Sequence, residues 1–261
     1  MNKLLLIMLL AAALPVSADD GAAARIAEQA AACSAQAAQA TEPLRTEKYR
    51  QAAALYQQLH DNFGIRSGSL FYNMGNAWFD AGNYPEAILN YRRAQLYAPG
   101  NPEVQANLNL ARTQVRDHFP QESGNSALKT LFFWHYDTSF QFRIRWAAAA
   151  AALFWICAAV LLWKRQSWLK YAAAILFIAA AAPALSAAVT ACTLRNTTPA
   201  VIMADQVMPR KGPAESYAPA FDKPIHAGAE VQVTDRQGEW REIQIPGNIS
   251  GWVHESGLQT L

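Results

Sequence analysis

Residues 71–101 read FYNMGNAWFDAGNYPEAILNYRRAQLYAPGN, and the rest of the chain is best read outward from them. Ala, Leu, Gln, Arg and Glu favour helix on either side of a Gly82–Asn83 break, and Pro99 ends the second run because proline cannot continue a helix. Gly75 and Ala87 are small where the two antiparallel helices approach, and larger side chains would force them apart. A single hairpin cannot bury its own apolar face, so neighbours are required. Tyr49, Ala52 and Tyr56 echo Tyr84, Ala87 and Tyr91 at an offset of 35 residues, and Asn107 and Leu108 echo Asn73 and Met74 at 34. The expectation is a helical domain over residues 22–119 with two to three hairpins, the last acting as a cap.

Gly75, Tyr84, Ala87, Tyr91, Ala94 and Pro99 carry a resemblance to the tetratricopeptide repeat. The resemblance implies an all-α solenoid whose first helices line a concave, peptide-receiving groove. Tyr72, Asn73, Asn76 and Asn107 fall on positions similar to that lining. Asparagine offers a donor and an acceptor to an extended backbone. The other reading is that these amides only hydrogen-bond within the stack, and both readings stay open at this point.

Residues 1–18 have the layout of a secretory signal peptide: Lys3, an apolar run, Pro15, then small Ser17 and Ala18. The chain from about Asp19 onward is expected to be exported. Two stretches then suit a bilayer. Residues 146–163 carry no charge, and residues 171–194 have only Ser and Thr as polar interruptions. Both meet the roughly 17–25 residues needed to cross a hydrocarbon core. Trp146, Trp163, Trp168 and Tyr171 stand at their edges, as in interfacial belts. The loop 164–170 carries Lys164, Arg165 and Lys170 and is expected in the cytoplasm; Arg143 and Arg145 weaken that signal. Residues 120–145 read as a linker followed by an aromatic segment in the headgroup region.

From Pro199 onward the pattern becomes short β-rich runs broken by Gly, Pro and Asp, which predicts a small all-β barrel over residues 199–261. The order AVIMADQVMPRKGPAESY, IHAGAEVQV, GEWREIQI, GWVHESGLQTL resembles a bacterial SH3 domain. Pro213, Tyr217, Trp240 and Trp252 are the candidates for its ligand groove, with plain packing as the alternative. That resemblance implies cell-wall peptides, hence peptidoglycan, or proteins as partners.

No chemistry of catalysis stands out. His60, His118, His135, His226 and His254 are scattered, and Cys33, Cys157 and Cys192 form no CxxC pair. No GxSxG elbow, Walker loop or HExxH occurs. A formal net charge of +2 without a basic block gives no footprint for nucleic acid. No cofactor or metal is expected, and the chain reads as a non-enzyme.

The order export signal, helical repeats, two-span hairpin and SH3-like barrel is a multidomain architecture. It resembles the BatE-like proteins of the Bat aerotolerance family, found with von Willebrand factor A domain proteins and a MoxR-type ATPase. The resemblance implies a scaffold in the bacterial inner membrane, both soluble domains periplasmic, binding proteins of an aerotolerance or envelope-stress complex. A peptidoglycan tether and an envelope hydrolase with an unrecognised site are the competing readings.

Overall fold

The structure, a computed structural model, describes residues 18–117, 119, 132–164, 166–247 and 249–261. Residues 1–17 of the expected export signal and residues 120–131 of the segment read over 120–145 lie outside the described residues, as do His118 and Arg165.

Five helices come first: α1 (Ala18–Gln39), α2 (Leu44–Phe63), α3 (Gly68–Asp80), α4 (Tyr84–Tyr97) and α5 (Pro102–Thr113). Their starts are written in the sequence. Ser67 Oγ accepts the Leu70 amide, and Asn83 Oδ1 accepts the Glu86 amide. Asn101 Oδ1 accepts the amides of Glu103 and Val104, with Pro102 opening the helix. Each cap satisfies donors that a helix start leaves unbonded. The helices pack in sequence, α1 on α2, α2 on α3, α3 on α4 and α4 on α5. Ala52, Leu59, Phe71, Met74, Ala77 and Val104 are buried between them. Gly75 is required where α3 meets α4, because a Cβ there would lie 2.6 Å from the Tyr91 ring.

One turn of helix, α6 (Phe133–Tyr136), leads into two long apolar helices, α7 (Phe140–Trp163) and α8 (Ser167–Asn196), packed against each other. Both are long and apolar enough to cross a membrane. Helix α7 begins at Phe140 rather than Trp146 because Ser139 Oγ caps it through the Phe142 amide, so Phe140, Phe142, Arg143 and Arg145 are helical. Helix α8 runs through Pro183.

The C-terminal part is a small antiparallel sheet in the order β6-β5-β4-β1-β7, formed by β1 (Thr198–Ile202), β4 (Glu230–Gln237), β5 (Trp240–Ile245), β6 (Ile249–His254) and β7 (Leu258–Thr260). A two-stranded ribbon, β2 (Gln206–Val207) with β3 (Ile225–His226), lies beside it. Alternation places Val231, Val233, Ile243 and Val253 in one core with Ala200 and Ile202.

The sheet sits directly on the helices. Val201, fully buried, packs in one cluster with Ala87, Ile88, Tyr91, Leu108 and Ala111, and Met203 and Leu261 join it. Strand β1 therefore covers apolar surface at the end of the helical stack that would otherwise face water. Gly228, at φ +90°, lies so close to Val115 that a Cβ would stand 2.4 Å from Val115 Cγ1. That position needs glycine both for its left-handed backbone and for its contact.

Candidate functional site

Three of the four residues read as groove lining come together on the inner side of α3 and α5. Asn76 Oδ1 accepts the Tyr91 hydroxyl at 2.7 Å and Asn107 Nδ2 at 2.9 Å. Asn107 Nδ2 also donates to the Tyr72 hydroxyl at 3.2 Å. The register follows from helix geometry, since Tyr72 and Asn76 are four residues apart and share a face. Asn73 points elsewhere and is exposed. Part of the amide chemistry is thus used within the stack. Asn76, Phe79, Asp80, Tyr91, Asn107 and Leu110 line a hollow of about 250 Å³, in which Asn76 Nδ2 and Asn107 Oδ1 have no hydrogen bond among the described residues.

Two ionisable groups shape this hollow. Burial pushes the Tyr91 hydroxyl well above its ordinary pKa, and the nearby Asp80 and Tyr72 add to the effect. Tyr91 is therefore a fixed donor to Asn76. Asp80 is exposed as a residue, yet desolvation of its carboxyl raises its pKa, while the Tyr49 hydroxyl and Arg45 pull it back in part. Sequence reading missed Asp80 and Tyr49, whose only signal was that Tyr49 recurs one repeat before Tyr84.

The residues read as a groove in the sheet domain do not converge. Trp240 lines a separate hollow of about 250 Å³ with Met208, Arg210, Glu215 and His254, and its ring meets His254 edge-on at 5.8 Å. Trp252 is only 8% exposed and packs inside, its backbone paired with that of Arg210. Tyr217 is exposed and lies over Gly212, where a Cβ would meet its ring at 2.6 Å. Pro213 is half-buried in the same loop.

The third polar assembly is the junction between helices and sheet. Glu230 accepts Arg112 Nε at 2.6 Å and Arg112 Nη2 at 3.1 Å, and lies 3.1 Å from Arg92 Nε. Asp117 Oδ2 accepts the His226 backbone amide at 2.7 Å and lies 2.8 Å from its Nδ1. Arg93 Nη2 donates to the Thr260 carbonyl at 3.2 Å. These contacts are directional, so they fix one docking angle where apolar packing alone would allow several.

Among the described residues no group of three or more His, Cys, Asp or Glu side chains is arranged to hold a metal. No protein-family model, curated protein or solved structure gives a significant match to the chain.

Proposed function

We propose that this chain is a non-catalytic membrane scaffold. Its helical part acts as a tetratricopeptide-type solenoid and its sheet as an SH3-like domain, both in the periplasm and both held at the inner membrane by the α7–α8 hairpin. The observation that carries the reading is the contact of Val201, Arg93 and Glu230 with one continuous helix–sheet interface. A chain that leaves one domain, crosses twice and returns to dock on that same domain needs both domains in one compartment. The export signal and the basic loop after Trp163 then favour the periplasm.

In this reading Asn76 Nδ2 and Asn107 Oδ1 offer one donor and one acceptor to the backbone of a bound segment, and Asn73 adds a solvent-facing amide. The partner class is protein, with von Willebrand factor A domain membrane proteins of a Bat-type complex as the specific expectation. Cell-wall peptide at the Trp240 hollow is the second reading, supported by the aromatic and charged groups that meet there.

Two measurements test this. Compartment-sensitive reporters fused after Leu261 and inserted beyond Thr113 are expected to report the same, external side; opposite sides end the reading. Purification in mild detergent is expected to bring down a von Willebrand factor A membrane protein, with recovery reduced by Asn73→Ala combined with Asn107→Ala while the helical domain stays folded. Recovery of the chain alone removes the scaffold role, and retention of the sheet domain on purified sacculi favours the tether.

A further inference from the structure

The end of the hairpin nearest the helical domain holds a charge that no described carboxylate balances. Arg143 is 6% exposed. Its Nη1 donates to Ser186 Oγ at 2.6 Å and to the Ser186 carbonyl at 3.3 Å, and lies 3.0 Å from His135 Nδ1. Its Nε is buried with no partner among the described residues. Among those residues no carboxylate comes within ion-pair distance of it. A guanidinium cannot shed its proton, so this is a permanent positive charge, and buried charges are held by a counter-charge.

An apolar hollow opens beside it. Trp134, Phe142, Trp146, Ile178 and Pro183 line a space of about 430 Å³, with Arg143 at its polar end. The site lies about 5 Å along the axis from the start of α7, at 1.5 Å per residue. In a spanning helix that is the level where headgroup phosphates meet hydrocarbon, and Trp134 and Trp146 flank it as interfacial aromatics do.

We infer that this hollow is a binding site for an anionic phospholipid, with the phosphate on Arg143 and an acyl chain between Phe142, Trp146 and Ile178. Three features select that occupant. The unmatched charge calls for an anion, and a lipid with net negative charge supplies one that is not already paired with a cation of its own headgroup, as the phosphate of a zwitterionic lipid is. The apolar wall requires a hydrocarbon tail, which inorganic phosphate lacks. The space holds roughly one turn of an α-helix about 10 Å wide, too little to seat a partner helix but enough for a chain of methylenes. The inference rests on the proposal that α7 and α8 span a bilayer.

The full chain, delipidated in mild detergent, is mixed with phosphatidylglycerol or phosphatidylcholine and the retained lipid is counted by native mass spectrometry. One phosphatidylglycerol per chain is expected, preferred by at least roughly fivefold. Arg143→Gln removes the preference and Arg143→Lys keeps most of it. Ala182 also lines the hollow, and Ala182→Phe, which fills it while leaving Arg143 in place, lowers retention and remains decisive if Arg143→Gln does not fold. Phosphatidylglycerol brominated on its chain is expected to quench tryptophan fluorescence less in Trp146→Phe. Equal retention of both lipids, an unchanged preference in Arg143→Gln, full displacement by inorganic phosphate, or a carboxylate-bearing protein helix found in the hollow each overturns the inference. A chain that fails to enter bilayers at all instead defeats the membrane reading, so the two failures are distinguishable.

Discussion

Helices α3 and α7 are built from the same backbone and bury opposite things. In α3 the large apolar side chains Leu70, Phe71 and Met74 point inward and are nearly inaccessible. In α7 and α8 the inner positions hold small Ala150, Ala173 and Ala187 together with polar Arg143 and Ser186, while Leu162, Trp163, Ile175 and Leu185 point out at 66–92% exposure. Such an inside-out arrangement is unstable in water, where exposing that much apolar surface costs about 25 cal/mol per Å². In lipid the outward face is at no disadvantage, and small residues let the two backbones approach. The difference between the two regions is the one a change of solvent from water to lipid would make, as the proposed membrane reading requires.

The largest expected effect tests that difference directly. Leu153, 54% exposed on α7, and Leu96, 47% exposed on α4, have nearly the same accessibility. Leu153→Lys is expected to oppose membrane insertion by about 3 kcal/mol, read as loss of the chain from the membrane fraction. Leu96→Lys should change stability by no more than about 0.5 kcal/mol. Equal, small effects at both positions would mean that α7 faces water.

The junction comes next. Glu230→Ala leaves Arg92 and Arg112 facing each other with no shared counter-charge. Both side chains are still about one-fifth exposed, so the cost is expected near 2 to 3 kcal/mol, below that of a fully buried pair. Hydrogen exchange should accelerate in β1 before it does in α3; uniform acceleration would mean that sheet and helices melt as one body.

How much of this was legible in the sequence depends on range. The caps at Asn83 and Asn101, the stop after Tyr97 and the crowding of Gly75 against Tyr91 depend on neighbours within a repeat, and the local pattern carries them. The apolar stretches are visible because two runs of the length a bilayer would demand stand out from the rest of the chain. Glu230 on Arg112 joins residues 118 apart, and neither residue's surroundings advertise the other. Arg143 was obscured for a different reason: a count of uncharged residues stops at the first charge, whereas the helix continues because Ser139 caps it and Ser186 receives the guanidinium. Among the groove candidates, helical spacing brings Tyr72 beside Asn76, and the repeat offset puts Asn107 on the same lining, but the offset pairs it with Asn73 whereas its hydrogen bonds go to Tyr72 and Asn76.

Gly75→Ala sets tight packing in the helical part against open backbone elsewhere. The new Cβ meets the Tyr91 ring, and overpacking is expected to cost about 2 kcal/mol. Gly21, in α1, has nothing within 4 Å of the place a methyl group would take. Gly21→Ala is expected to stabilise by up to about 1 kcal/mol through helix propensity. Opposite signs in thermal melts would confirm that α3 and α4 touch through Gly75.

The smallest effect separates Asp80 from the buried core beside it. Because burial raises its folded-state pKa above the ordinary 3.8, with Tyr49 and Arg45 opposing, its protonated form is the one favoured by folding. Its contribution is fully present below the unfolded value and is lost as pH rises through the folded value. Tyr49→Phe removes the hydroxyl that steadies the carboxylate, so the Asp80 pKa should rise further and that window widen toward neutral pH. Carboxyl-carbon NMR titration of aspartate-labelled protein reads the shift directly. A pKa that falls on removing the hydroxyl would mean that Tyr49 accepts from a protonated Asp80 instead of donating to its carboxylate, and the hollow would then present a donor-poor wall to any bound segment.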